Sequence, residues 1–197
     1  MIRNLLAGAL VLVSNPALAA LPYPLTRADF GPDVFVDNPY VAQVTCERSL
    51  GTAFKIADGR WLTVHHVSSA GGCKVHGKPV YVVHTDAWGD FSIIDFGENQ
   101  PGGLEVDCGG FHEGQWYWGI GYAWGWPTLQ SRAVRHREQS WFLQPLNTLL
   151  GARFVPGMSG GAVVDEQNRV VGTVNAYLLE KPGSLSRALK DTEICEN

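Results

Sequence analysis

The segment VPGMSGGAVVD, residues 155–165, places Ser159 among three glycines directly before an apolar, strand-like run. Glycine is favoured where the backbone must turn tightly or approach a ligand closely. Gly-Ser turns are also common in hairpins that carry no chemistry. The motif therefore permits two interpretations, a plain turn or a nucleophilic serine whose neighbouring N–H groups are free to bind an anion.

A catalytic serine needs two helpers, because its hydroxyl is a weak nucleophile at neutral pH. A histidine must accept its proton, and a carboxylate must orient that histidine. The segment WLTVHHV brings His65 and His66 to the end of one predicted strand, and GDFSIID begins another predicted strand at Asp90. The three residue types that this chemistry needs thus occur in the order His, Asp, Ser.

That order disfavours one class of hydrolase. Residues 157–161 also match the G-x-S-x-G turn of α/β-hydrolases, but those enzymes place the catalytic histidine after the serine. Here all six histidines precede Ser159. A lipase-like site on a parallel sheet is therefore disfavoured.

Short alternating or apolar runs bounded by Gly, Pro and Asp recur along the chain and predict β-strands. Helical periodicity is nearly absent except in the tail, where Ser184 can cap a helix over residues 184–195. Many short strands with one late helix predict an all-β barrel or sandwich. The aromatic cluster at residues 116–126 is typical of barrel strands, with a ligand-stacking surface as the alternative.

The net charge of −4 and the lack of a long basic run argue against a nucleic-acid partner. Residues 1–19 combine Arg3, an apolar run too short to span a bilayer and an A-x-A cleavage signal, so they predict an export signal peptide. No later stretch predicts a membrane span, and the mature chain, residues 20–197, is expected in the periplasm or outside the cell. Its four cysteines predict disulfides there, with a structural zinc site as the alternative.

Taken together, the motifs resemble trypsin-like serine endopeptidases of the chymotrypsin fold, in their short, exported bacterial form. GTAFKIADGRWLTVHHV is similar to the hairpin that leads to the catalytic histidine, DFSII to the strand that begins with the aspartate, and PGMSGGAVVDEQNRVVGTVNA to the nucleophile loop. The resemblance implies an all-β fold of two antiparallel six-stranded β-barrels, at about 35–100 and 105–180, followed by the short C-terminal helix. The active site would lie in the cleft between them.

The resemblance also assigns roles within the triad. It favours His66 over His65 as the base, because a small apolar residue follows His66. It favours Asp90 over Asp86 and Asp95, because the family's aspartate begins its strand. Ser159 would be the nucleophile. The N–H groups of Gly157 and Ser159 would form the oxyanion hole. The position between them is Met158, whereas the digestive enzymes carry an aspartate there that pairs with a new N-terminus after zymogen cleavage, so no such activation is expected.

Substrate-binding residues follow from the same comparison. The main chain of Asn175, Ala176 and Tyr177 would pair with an extended peptide, and Phe154, Val155 and Pro156 would wall the specificity pocket. Arg153 occupies the position of the selective acid in trypsin. It would favour acidic side chains if it lines the pocket floor, and it would leave an apolar pocket if it turns to solvent, which is the arrangement we favour. Cleavage after Lys or Arg is disfavoured in either case.

The family topology, rather than spacing, implies the disulfides Cys46–Cys73 and Cys108–Cys195, with Cys73–Cys108 as the strongest competitor. The expected protein is a monomeric enzyme that hydrolyses peptides or proteins through an acyl-enzyme and needs no metal or cofactor. Two alternatives from the sequence remain open. One is a catalytically silent binding module with the same fold, and the other is an esterase-like hydrolase that uses the same triad.

Overall fold

The structure of the protein, a computed structural model, describes residues 38–98, 101–137, 145–151, 153–177 and 183–196. The predicted signal peptide lies outside these residues. The described strands fall into two antiparallel sheets. The strands of the first sheet are β1 (Val41–Thr45), β2 (Leu50–Lys55), β3 (Trp61–Thr63), β4 (Lys74–Val75), β5 (Lys78–Pro79), β6 (Tyr81–Asp86) and β7 (Phe91–Asp95). Those of the second are β8 (Trp116–Gly121), β9 (Gln130–His136), β10 (Leu146–Gly151), β11 (Ala162–Val164), β12 (Val170–Tyr177) and β13 (Gly183–Ala188).

The first sheet is a curled half-barrel, consistent with the first barrel of the predicted chymotrypsin-like double barrel. Its seven strands run in the order β5-β4-β1-β2-β3-β7-β6, and within the described residues β5 and β6 are its unpaired edges. The strand β5 has only two residues, and Pro79 has no N–H to donate to a ladder. Only Val80 separates β5 from β6, so the two end strands of the sheet are consecutive segments of the chain.

The second sheet closes into a six-stranded barrel, as predicted. Its strands follow the order β10-β13-β12-β11-β8-β9, and β9 pairs with β10 to complete the ring. The barrel encloses a cluster of buried apolar side chains, which includes Tyr117, Val134, Leu149, Phe154, Met158, Val163, Val171 and Val174.

The predicted helix over residues 184–195 is wrong. Gly183–Ala188 forms β13, which lies between β10 and β12, and only Leu189–Asp191 forms a short 3-10 turn. The buried positions of this strand include Ser184 and Ser186, so its alternation is not visible as an apolar pattern. The Ser184 hydroxyl accepts the Phe154 N–H at 2.8 Å, and the Ser186 hydroxyl donates to the Thr173 carbonyl at 2.6 Å. These bonds and two strand ladders outweigh the local helical preference.

The two halves share one apolar core. Side chains of the first sheet, including Phe54, Leu62 and Phe91, belong to the same buried cluster as Ile120 and Val164 of the barrel. Close packing of this kind fixes the halves against each other, because well-packed interiors transmit displacements rather than absorb them. Residues at the junction are therefore held in a defined geometry.

Two disulfides brace the chain in the pairing that the family topology implies. Cys46–Cys73 joins the segment before β2 to the loop after the helix α1 (His65–Ser68), and Cys108–Cys195 joins the connection between the halves to the C-terminal segment. In the ranges that the structure describes, no helix is long and apolar enough to cross a membrane.

Candidate active site

The helix α1 presents His66 at the junction of the two halves. This helix begins directly after β3, and its four residues turn the chain so that the side chain of His66 is 47% exposed while Val67 is buried. The Nδ1 atom of His66 lies 2.8 Å from Oδ2 and 3.0 Å from Oδ1 of Asp90. The backbone N–H of His66 donates to the same carboxylate, to Oδ1 at 2.9 Å. The opposite ring nitrogen, Nε2, is therefore the one available to a reacting group.

Asp90 stands immediately before β7, with a left-handed backbone (φ 51°) that aspartate tolerates better than most residues. Burial raises the pKa of its carboxyl group. The hydrogen bonds from His66 and Asn175, together with the charge on His66, outweigh that effect and hold the pKa below its usual value. The group is therefore a carboxylate at neutral pH, as the orienting partner of a histidine must be.

The neighbouring candidates do not join this arrangement. Nδ1 of His65 lies 2.8 Å from the hydroxyl of Thr85. Asp86 accepts the Gly89 N–H, and Asp95 is exposed at the far end of β7, where it accepts the Gly97 N–H. The pairing of imidazole and carboxylate thus belongs to His66 and Asp90.

Asn175 fixes the carboxylate from the other half of the molecule, a role that sequence reasoning missed. Its Nδ2 donates to the Asp90 carbonyl at 2.9 Å and to Oδ2 at 3.1 Å. Its Oδ1 accepts from the Thr173 hydroxyl and the Arg187 N–H, both at 2.8 Å. The residue is 1% exposed and sits at a shift of strand register between β12 and β13. Such bulges re-aim a side chain, and they are frequent beside active sites.

Ser159 lies in the tight turn before β11, within the same cavity as His66. Its hydroxyl donates to the Asn175 carbonyl at 3.3 Å. Among the described residues no hydrogen bond joins this hydroxyl to His66.

The backbone around Ser159 has two N–H groups without an acceptor among the described residues, those of Gly157 and Ser159. The other N–H groups of the loop are bonded: Met158 to Val155, Gly160 to Val174 and Gly161 to Met158. Gly157 has a φ of 90°, and a side chain there would collide with the Tyr122 carbonyl. The glycine is therefore required by both its conformation and the close approach of the neighbouring chain.

The cavity beside the serine has a volume of about 450 Å³. Asn175, Ala176 and the predicted pocket residues from 154 to 156 line it, together with Leu50 and Val174. Arg153 is exposed and does not line it, and the side chain of Tyr177 lies outside the description. A second cavity of about 750 Å³ lies over the first sheet, and none of His66, Asp90 and Ser159 lines it.

The outer edge of β12 is open beside this cavity. The ladder between β11 and β12 ends at the pair Ala162 and Thr173, so within the described residues no strand occupies the edge of Asn175, Ala176 and Tyr177. An open edge of this kind accepts an extended chain through main-chain hydrogen bonds. As for metals, no cluster of three or more His, Cys, Asp or Glu side chains that could hold an ion occurs in the part of the chain that the structure describes.

Residues 51–172, more than half of the chain, match the family model described as the trypsin-like peptidase domain. The chain belongs to this family. Fold and family together define a trypsin-like serine endopeptidase with the chymotrypsin-like double barrel. No curated protein sequence matches the chain.

Solved structures share this fold at low sequence identity. The active form of the Rv3671c protease from M. tuberculosis is 21% identical, with a TM-score of 0.64 over 85% of this chain and 88% of that one. The serine endoprotease from Yersinia pestis is 18% identical, with a TM-score of 0.66 over 79% of this chain and 60% of that one. The HtrA-type protease AlgW, solved with a tripeptide, is 21% identical, with a TM-score of 0.63 over 80% and 58%.

Proposed function

We propose that the protein is an exported endopeptidase that hydrolyses peptide bonds through an acyl-enzyme, with Ser159 as nucleophile, His66 as general base and Asp90 as its orienting carboxylate. The observation that carries the proposal is the convergence of three features on one cavity. These are the bonded pair of His66 and Asp90, the Ser159 hydroxyl, and the two N–H groups without acceptors at Gly157 and Ser159.

The first half-reaction forms the acyl-enzyme. When substrate binds, the Ser159 hydroxyl leaves the Asn175 carbonyl, and its proton passes to Nε2 of His66 as Oγ attacks the scissile carbonyl carbon. The carbonyl oxygen becomes an oxyanion, which the N–H groups of Gly157 and Ser159 bind; such preorganised donors act mainly on the transition state. The C–N bond then breaks, and His66 returns the proton to the departing amine.

The second half-reaction releases the acid. Water takes the place of the amine, His66 accepts its proton, and the hydroxide attacks the ester carbon on Ser159 through a second oxyanion. Collapse of that intermediate breaks the C–O bond to Ser159, which recovers its proton from His66. Asp90 remains a carboxylate throughout and stabilises the imidazolium in both halves.

The substrate is proposed to be an extended peptide with a small or medium aliphatic residue before the scissile bond. Leu50, Val155 and Val174 line the cavity, and Arg153 projects to solvent rather than to a pocket floor. The free edge of β12 would bind the substrate main chain. The two disulfides are consistent with an oxidising compartment and support the proposed export.

A matched pair of histidine variants tests the assignment of the base. His66→Ala should reduce hydrolysis of a peptide amide by about 10³-fold or more, because proton transfer to the nucleophile is lost. His65→Ala should retain most of the activity, since its ring bonds only Thr85. The reverse ranking would refute the choice between the two residues. Peptide amides must be hydrolysed as well as esters, because turnover of esters alone would favour the esterase alternative.

A further inference from the structure

The oxyanion hole depends on the direction of two peptide groups. In a planar trans peptide the N–H and C=O point opposite ways, so the Gly157 N–H faces the cavity only while the Pro156 carbonyl faces away from it. That carbonyl accepts the N–H of Trp124 at 2.6 Å. The Met158 carbonyl, which fixes the Ser159 N–H in the same way, accepts the N–H of Gly161 at 2.9 Å. Both carbonyls are thus held on the far side of the loop.

The nucleophile loop has no charged anchor at its centre. Met158 is completely buried in the apolar core of the barrel. An apolar side chain contributes burial energy but does not specify which way the adjacent peptide groups point, because the hydrophobic effect is non-directional. Directional hydrogen bonds must therefore set the orientation.

Thr52 of β2 restrains the loop from the other half of the molecule, through the carbonyls of the two peptides that directly follow those carrying the Gly157 and Ser159 N–H groups. Its backbone N–H donates to the Ser159 carbonyl at 2.7 Å, and its hydroxyl donates to the Gly157 carbonyl at 2.7 Å. The same hydroxyl accepts the Tyr122 N–H at 3.0 Å. Thr52 is completely buried, so no water competes for these bonds.

The bond to Tyr122 reaches the segment that restrains Pro156. Tyr122 precedes the 3-10 turn Ala123–Gly125, whose middle residue, Trp124, donates to the Pro156 carbonyl. Trp124 has a φ of 57°, a left-handed conformation that is costly for a residue other than glycine. The surrounding contacts hold the turn in this conformation. One of them is the hydrogen bond that the Thr52 hydroxyl accepts from the N–H of Tyr122, the residue just before the turn.

We infer that Thr52 is a positioning residue of the oxyanion hole, which acts through the adjacent peptides of the loop and through the Trp124 turn to keep the Gly157 and Ser159 N–H groups aimed at the cavity. The inference rests on the proposed function of Ser159. Thr52 thereby helps to preassemble the oxyanion hole without an ion pair beneath the nucleophile. Its buried hydroxyl links β2 by hydrogen bonds to the nucleophile loop and to the residue before the Trp124 turn.

The test uses two variants at this position and a matched control elsewhere. Thr52→Val removes the hydroxyl and keeps the shape, whereas Thr52→Ser keeps the hydroxyl. Thr192→Val is the control, because Thr192 is also buried, donates to the Leu189 carbonyl at 2.7 Å and accepts the Ile194 N–H at 3.3 Å, away from the cavity. Should Thr52→Val fail to fold, Thr52→Ala takes its place.

Four quantities are measured: Tm, the kcat and KM for a peptide amide, and the inhibition constant of a peptidyl trifluoromethyl ketone. The adduct of this ketone with serine carries an oxyanion. Thr52→Val should lower kcat by about 10²-fold with KM within about twofold, since the loss of one oxyanion donor costs about 10²–10³-fold. The inhibitor should weaken by a similar factor. Thr52→Ser should retain most of the wild-type kcat and most of the affinity for the inhibitor. Thr192→Val should lower Tm without lowering kcat.

A kcat of Thr52→Val within threefold of that of Thr192→Val overturns the inference, and so does equal loss in Thr52→Ser and Thr52→Val. Labelling of the wild type by a fluorophosphonate is measured in parallel. If Ser159 is labelled but Thr52→Val is fully active, only the positioning role fails. If wild-type Ser159 is not labelled, the proposed function fails and the inference fails with it.

Discussion

Replacing Asn175 by alanine should weaken both the fold and catalysis, by amounts that follow from its four side-chain hydrogen bonds. Loss of Oδ1 leaves the Thr173 hydroxyl and the Arg187 N–H buried without an acceptor. At about 1–3 kcal/mol for each unsatisfied group, the free energy of unfolding should fall by roughly 2–6 kcal/mol. Loss of Nδ2 removes a bond to the Asp90 carboxylate, and bonds to charged groups contribute about 1.5–3 kcal/mol.

If the whole contribution of the Asn175–Asp90 hydrogen bond is lost from the transition state, kcat/KM should fall by roughly 10- to 160-fold. The assay is hydrolysis of a peptide amide at a temperature where urea unfolding shows the variant to be folded. Asn147→Ala is the matched control, because Asn147 is buried to a similar degree in β10 and does not line the cavity. A kcat/KM for Asn175→Ala within twofold of that of the control would refute the role of Asn175 in holding Asp90.

Three further predictions concern pH, the disulfides and specificity. Because the folded pKa of Asp90 is lowered, its stabilising effect is fully present above the unfolded pKa near ~3.9 and is lost as the pH falls from there through the folded pKa. The difference in urea midpoint between wild type and Asp90→Asn should therefore be constant from pH 7 to about pH 5 and begin to shrink below about pH 4. Removing the Cys108–Cys195 disulfide, which spans 87 residues, should lower the free energy of unfolding by about 4.6 kcal/mol, and removing Cys46–Cys73, which spans 27, should lower it by about 3.6 kcal/mol. The variant with Ser at 108 and 195 should therefore unfold at a lower urea concentration than the variant with Ser at 46 and 73. Because Arg153 is exposed, Arg153→Ala should leave the cleavage profile of a peptide library aliphatic, and a profile dominated by Lys or Arg would contradict the assigned pocket.

The parts of the fold that sequence predicted are those with local signals. Asp58-Gly59 and the polar tip after Asp165 mark hairpins, and the alternating runs around them form strands β2, β3, β11 and β12. The tail was misassigned because its strand buries Ser184 and Ser186. In a sequence, serines are expected at the surface. Their hydrogen-bond partners in the core, Phe154 and Thr173, are distant segments that the local sequence does not reveal.

The same limitation applies to the site. His66, Asp90 and Ser159 could be singled out because their chemistry demands those residue types at the ends of strands. The roles proposed for Thr52 and the Asn175 side chain could not be predicted from the sequence, because their hydrogen-bond partners lie 70 to 105 residues away along the chain. The one local signal was a polar residue within an otherwise apolar strand, which indicates a buried hydrogen bond without identifying its partner.

The central claim, that Ser159 is an activated nucleophile, is tested most directly by intact-mass measurement after reaction with a fluorophosphonate. The wild type should gain a single phosphonyl group, and peptide mapping should locate it on Ser159. Ser159→Ala should gain none, and wild type unfolded in urea should gain none, because activation depends on the folded arrangement with His66. Equal labelling of wild type and Ser159→Ala, or a folded wild type that remains unlabelled, would contradict the account.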